Sequence, residues 1–99
     1  PPQRFGPWQG TLLAQRIESQ CLQYTHMSKN PPERVEGSED CLYLNIYTNN
    51  DENSTELYPV TFYIHGGAFQ YGDGGGQRPE YLMDRDFVLV TMNYRLGPL

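Results

Sequence analysis

The chain reads as α/β in class, and three observations point there. Leu42-Tyr43-Leu44-Asn45-Ile46-Tyr47 alternates in a β-prone run, as a strand does when one face is covered. Val60 to Ile64 is a second apolar run that stops at a histidine and two glycines. Phe87-Val88-Leu89-Val90-Thr91-Met92 is almost wholly apolar, which suits a strand buried on both faces in a parallel sheet. The path strand, turn, short helix, buried strand is α/β in character.

Residues 1–10 are rich in Pro, Gly and Gln and carry Trp8, and Thr11 to Ile17 is either a short strand or an irregular arm. Cys21 to Asp40 contains Asn30-Pro31-Pro32 and Gly37-Ser38 and reads as a loop. After the strand at 42–47, the polar and acidic stretch Asn49 to Glu56 forms a surface connection to the strand at 60–64. That order predicts a long-looped hairpin between the two strands. Gly72-Asp73-Gly74-Gly75-Gly76 reads as a flexible turn. Pro79 to Arg85 fits a short helix, with Pro at its first turn and Glu80 near its positive end.

The bulk numbers narrow the function. The 99 residues carry a net charge of −5 without any cluster of Lys and Arg, so the footprint of a nucleic-acid binder is missing. No apolar run approaches the roughly 20 residues of a bilayer span. The opening Pro1-Pro2 and the close on Leu96-Gly97-Pro98-Leu99, directly after a buried-type strand, read as a piece of a larger domain. Two cysteines, Cys21 and Cys41, are either a pair or two free thiols. Asn53-Ser54-Thr55 is an N-glycosylation acceptor in a polar loop; with the cysteines it favours a secreted or extracellular protein.

The most informative run is Tyr63-Ile64-His65-Gly66-Gly67-Ala68-Phe69. A strand that ends in small residues leaves backbone N–H groups open to close approach. Such donors hold the oxyanion that develops in acyl transfer, at about 2.7–4 kcal/mol each. The turn is of the HGGG type found in esterases and lipases, with Ala in its last position. His65 reads as a structural residue that holds the loop by a hydrogen bond. Phe69 is expected to pack beneath it, or else to line an acyl pocket. The glycines at 72–76 do not match G-x-G-x-x-G, so no phosphate role is assigned. Asp40, Asp84 and Asp86 read as solvated charges, because no His/Cys set with zinc-like spacing accompanies them. Arg95 reads as a structural ion-pair partner whose acidic mate lies beyond residue 99.

Glu39-Asp40-Cys41-Leu42-Tyr43-Leu44-Asn45-Ile46-Tyr47 resembles the signature of the type-B carboxylesterase/cholinesterase family. Two more blocks resemble it in order, His65-Gly66-Gly67-Ala68-Phe69 and Asn93-Tyr94-Arg95-Leu96-Gly97, as do Arg4-Phe5 with Trp8, and Cys21 before Gln23. The resemblance spans essentially the whole chain. It implies the N-terminal portion of an α/β-hydrolase fold, with a Ser, Glu or Asp, and His triad that lies outside these residues. Ser19, Ser28, Ser38 and Ser54 lack a Gly-x-Ser-x-Gly setting, and His26 and His65 do not match the family's catalytic His. By resemblance, Gly67 and Ala68 donate two N–H groups to the oxyanion, and a third donor follows the nucleophile. Cys21 and Cys41 match the family's first disulfide, and Arg4 and Glu39 match a buried ion pair. The implied ligand is a small-molecule carboxylic ester, the implied partner is the remainder of the same domain, and no cofactor or metal is implied.

Three departures stand out. The segment between Phe5 and Trp8 is shorter than the family's Pro-rich linker, Asn49 stands where Pro is usual, and the Cys21–Cys41 loop has no Trp. A Trp there binds choline by cation–π attraction in cholinesterases. Its absence argues for a general carboxylesterase, or for the other reading, a non-catalytic adhesion or signalling ectodomain that keeps the fold.

Overall fold

A computed structural model describes residues 1–24, 35–76, 79–81 and 84–98. Strands β1 (Gln23–Tyr24) and β2 (Val35–Glu36) form an antiparallel ribbon, and β3 (Leu44–Thr48), β4 (Val60–Tyr63) and β5 (Val88–Met92) form a mixed sheet. The loop expected from Cys21 to Asp40 therefore holds a short ribbon. Its middle, with His26 and Asn30-Pro31-Pro32, lies outside the described residues. Thr11 to Ile17 is an irregular arm.

The sheet corrects the expected hairpin. Its order is β3-β5-β4, with β5 antiparallel to β3 and parallel to β4. The most apolar strand takes the centre, where both edges find ladder partners and burial is greatest. Loop length does not select neighbours here, because the polar connection at 49–59 reaches across an intervening strand as easily as around a turn. A parallel β4–β5 pair needs a crossover of a dozen or more residues. Residues 64–87 supply it, and all of the candidate site chemistry sits on that crossover.

The register divides the sheet into two faces. Leu44, Ile46 and Thr48 pair with Met92, Val90 and Val88, and Val60 and Phe62 pair with Val88 and Val90. These residues share one face, on which Leu44, Ile46, Val60 and Phe62 are exposed. The opposite face carries Leu89 and Thr91, both buried. Thr91 is 0% exposed. Its hydroxyl donates to the Gly74 carbonyl at 2.7 Å and accepts from Asn45 Nδ2 at 3.2 Å, so this polar group is buried with its bonds made.

The expected helix at 79–85 is, over the described residues, a single 3-10 turn at Pro79–Tyr81; residues 82–83 lie outside them. So short a segment has few i→i−4 bonds with which to offset the cost of helix nucleation. The α/β expectation is thus met in its sheet, and no α-helix occurs among the described residues.

A second packing centre surrounds the cysteines. Cys21 and Cys41 are bonded, with Cα atoms 4.8 Å apart, and are buried with Leu96 against Tyr94. Asn93 ties this centre to the sheet. Its Nδ2 donates to the carbonyls of Ser19 (3.1 Å) and Cys41 (3.0 Å), and its Oδ1 accepts from the Gly74 N–H at 2.8 Å. Gly74 is buried, and a Cβ there would lie 2.7–2.9 Å from three backbone atoms of Met92. The glycine stretch expected to be a flexible turn is instead pressed flat against β5 at its middle residue.

Candidate functional site

β4 ends at Tyr63, and the chain turns sharply through His65-Gly66-Gly67-Ala68-Phe69. The turn is made in left-handed backbone: φ is 125° at Gly67, 54° at Ala68 and 59° at Phe69. Glycine takes such values freely, but an L-residue in that region costs about 1–2 kcal/mol. Two adjacent non-glycine residues held there mark a segment that its surroundings over-determine, which is characteristic of functional turns.

The restraints are identifiable. The Gly67 carbonyl accepts from the N–H groups of Gln70 (2.9 Å) and Tyr71 (3.3 Å), and the Phe69 carbonyl accepts from Gly97 N–H at 2.7 Å. Tyr94 donates its hydroxyl to the His65 carbonyl at 2.6 Å. The Tyr94 ring stacks on the His65 ring, with centroids 4.2 Å apart and planes 9° from parallel. His65 is 7% exposed, and its Nδ1 lies 2.8 Å from the Gly66 carbonyl. A carbonyl only accepts, so Nδ1 carries the proton in this bond. His65 thus holds the loop, as its position in the sequence led us to expect.

These bonds aim the neighbouring amides. In a trans peptide the carbonyl of one residue and the N–H of the next point in opposite directions within one plane. With the Gly66 carbonyl drawn to His65, the Gly67 N–H points away from that ring. With the Gly67 carbonyl drawn to Gln70 and Tyr71, the Ala68 N–H points away from the interior of the turn. Among the described residues neither N–H meets an acceptor, and Ala68 is exposed while Gly67 is half-buried. The arrangement presents two consecutive backbone donors that can hold an anionic oxygen.

Phe69 differs from expectation. It is 75% exposed and meets the edge of the Tyr94 ring at 6.0 Å, so it flanks the turn and does not underlie it. Tyr94 occupies the place beneath. The expected charged partners also differ. Arg4, Glu39 and Arg95 are exposed, and the one ion pair among the described residues is Arg16–Glu18 at 2.7 Å. The expected Arg4–Glu39 pair is not formed here, and both residues are exposed where burial was expected. Asn53 is exposed in a turn where its own N–H donates to Asp51 Oδ1 at 3.0 Å.

Sequence reasoning used Gln23 only as part of the family resemblance and gave it no role. Its Nε2 donates to the carbonyls of Cys21 (3.1 Å) and Gly72 (3.0 Å), and its Oε1 accepts from the Gly72 N–H at 2.8 Å. That pattern, a glutamine two residues after a cysteine, does not reveal the role locally because the side chain's partner lies 49 positions away. Among the described residues no group of three or more His, Cys, Asp or Glu is placed to hold a metal ion. A cleft of about 380 Å³ lies by the disulfide, lined by Cys21, Ser38, Glu39, Cys41 and Arg95 among others, and neither Gly67 nor Ala68 borders it.

Comparison with known proteins gives the turn its context. The carboxylesterase family profile matches residues 1–99. Venom carboxylesterase-6 of Apis mellifera is 46% identical over 98 residues, which cover 99% of this chain and 18% of that protein. Juvenile hormone esterase of Tribolium castaneum is 46% identical over 98 residues, covering 97% of this chain and 16% of that protein. Bile salt-activated lipase of Mus musculus is 41% identical over 108 residues, covering 99% and 17%. The chain thus spans less than a fifth of the length of these relatives. With the family's profile matched from first residue to last, this chain belongs to the carboxylesterase family.

Proposed function

We propose that the chain is the N-terminal part of a serine carboxylic ester hydrolase and supplies two of the donors of its oxyanion hole, Gly67 N–H and Ala68 N–H. The observation that carries this reading is the pair of consecutive amides, aimed outward from a strained turn and lacking acceptors among the described residues. The relatives named above are an esterase, a carboxylesterase and a lipase, which favours the hydrolase over the adhesion reading. The exposed apolar face of the sheet, with Leu44, Ile46, Val60 and Phe62, supports a larger domain whose remainder covers it.

In this mechanism a serine outside these residues attacks the ester carbonyl carbon while a histidine takes its proton. The carbonyl electron pair moves onto oxygen, where the Gly67 and Ala68 amides and a third N–H hold the charge. Collapse expels the alcohol, which takes the proton back from the histidine. Water then attacks the acyl-enzyme by the same route and releases the acid. Each donor contributes about 2.7–4 kcal/mol to the transition state. The triad and the substrate pockets are assigned to the remainder of the domain.

We place the protein outside the cell. The buried Cys21–Cys41 bond and the exposed sequon at Asn53 support this, as does the word venom in one relative's name.

The full-length protein tests the function. It is expected to hydrolyse p-nitrophenyl acetate and to lose that activity on stoichiometric phosphorylation by an organophosphate, one site per chain. Absence of both turnover and a titratable site would refute the hydrolase reading in favour of the adhesion one.

A further inference from the structure

We propose that Gln23 is a positioning residue for the turn at 65–72, linking it to the disulfide-bonded loop; this rests on the function proposed above. The Gln23 side-chain amide grips the Gly72 backbone at both of its polar groups. It accepts from the N–H at 2.8 Å and donates to the carbonyl at 3.0 Å, as a neighbouring strand would. Its second Nε2 proton goes to the Cys21 carbonyl at 3.1 Å, so both donors and the acceptor are engaged. Cys21 is itself held by its bond to Cys41.

Gly72 is the point at which this grip reaches the donors. A Cβ built on Gly72 would lie 2.5 Å from His65 Nδ1 and 2.7 Å from the Gly66 carbonyl oxygen. The Gly72 backbone therefore backs the hydrogen bond that orients the Gly66–Gly67 peptide plane, and with it the Gly67 N–H. With φ at +117°, Gly72 has no side chain of its own to fix it there. The fixing is done from outside, by a residue 49 positions earlier. Only a primary amide of this length offers an acceptor and two donors together, which explains why the position is Gln.

The test uses the full-length protein, p-nitrophenyl acetate, and rates expressed per titrated site. Gln23→Met keeps the side chain's length and removes its polar bonds. It is expected to lower kcat by about tenfold to a hundredfold with KM within about twofold, because the misaimed donor matters only once charge has developed. Gln23→Glu keeps the acceptor for the Gly72 N–H but sets a carboxylate against the Gly72 and Cys21 carbonyls. Protonated, it regains one donor. Its kcat relative to wild type is therefore expected to recover as pH falls, because the two carbonyls favour the protonated carboxyl. A purely structural role would move the thermal midpoint and leave both the kcat–KM split and the pH profile of that ratio unchanged. That result overturns the proposal, as does failure of both variants to yield titratable sites, which would make position 23 a folding residue. If wild type itself neither turns over nor titrates, the function reading has failed. If wild type is active and Gly67 variants are impaired while Gln23 variants are not, only this inference has failed.

Discussion

Gly67→Ala is the substitution that bears most directly on the turn. A Cβ on Gly67 would overlap the carbonyl oxygen of Tyr71 and sit 3.3 Å from the Tyr71 ring, at a φ of 125°. Alanine has two ways to respond. It can keep the conformation, at about 1–3 kcal/mol for the backbone, while pushing the Tyr71 backbone away. Or it can rotate out, releasing the bonds from Gln70 and Tyr71 to the Gly67 carbonyl at about 1 kcal/mol each. Either route lowers stability by about 1–3 kcal/mol on these terms. Rotating out turns the 67–68 peptide plane, so the Ala68 N–H loses its aim; keeping the conformation displaces the Tyr71 backbone whose N–H helps to hold that plane, and so loosens the same donor. One displaced oxyanion donor lowers kcat by about 10²–10³. The assay is kcat per titrated site for the full-length protein, well below its thermal midpoint, with KM measured alongside. An unaltered kcat in a variant that still titrates fully would refute the assignment of these amides, whatever happens to stability.

Three further outcomes follow from the packing. Thr91→Val keeps the shape and strands the Gly74 carbonyl and the Asn45 amide, so the midpoint of denaturant unfolding should fall by the equivalent of about 1–3 kcal/mol; Thr91→Ser, which keeps the hydroxyl, should lose less. Asn93→Ala frees the Ser19 and Cys41 carbonyls and the Gly74 N–H together, and should cost more than Thr91→Val in the same measurement. Removing the Cys21–Cys41 bond opens a loop with a sequence separation of 20. It should cost roughly 3 kcal/mol, checked by unfolding with and without reductant, and intact mass should rise by two hydrogens on reduction.

Much of this protein was legible in the order of its residues. Apolar runs at 42–47, 60–64 and 87–92 mark the three strands, because alternation and β-branching are local properties. The shift from Tyr63-Ile64 to His65-Gly66-Gly67 marks the turn, because only small residues permit it, and the family resemblance rests on these same blocks. What the order of residues left open was decided by contacts between distant positions. Strand order is one case: β5 lies between β3 and β4 because the most apolar strand gains most from two neighbours, a comparison that no single window contains. The stack of Tyr94 beneath His65, the exposure of Phe69, and the compression of Gly74 onto Met92 are others. The hold of Gln23 on Gly72 spans 49 positions and has no local periodicity to announce it. Composition and pattern determine which segments are strands and where the chain must bend; only packing in three dimensions determines which amides are consumed by neighbours and which are left without an acceptor among the described residues.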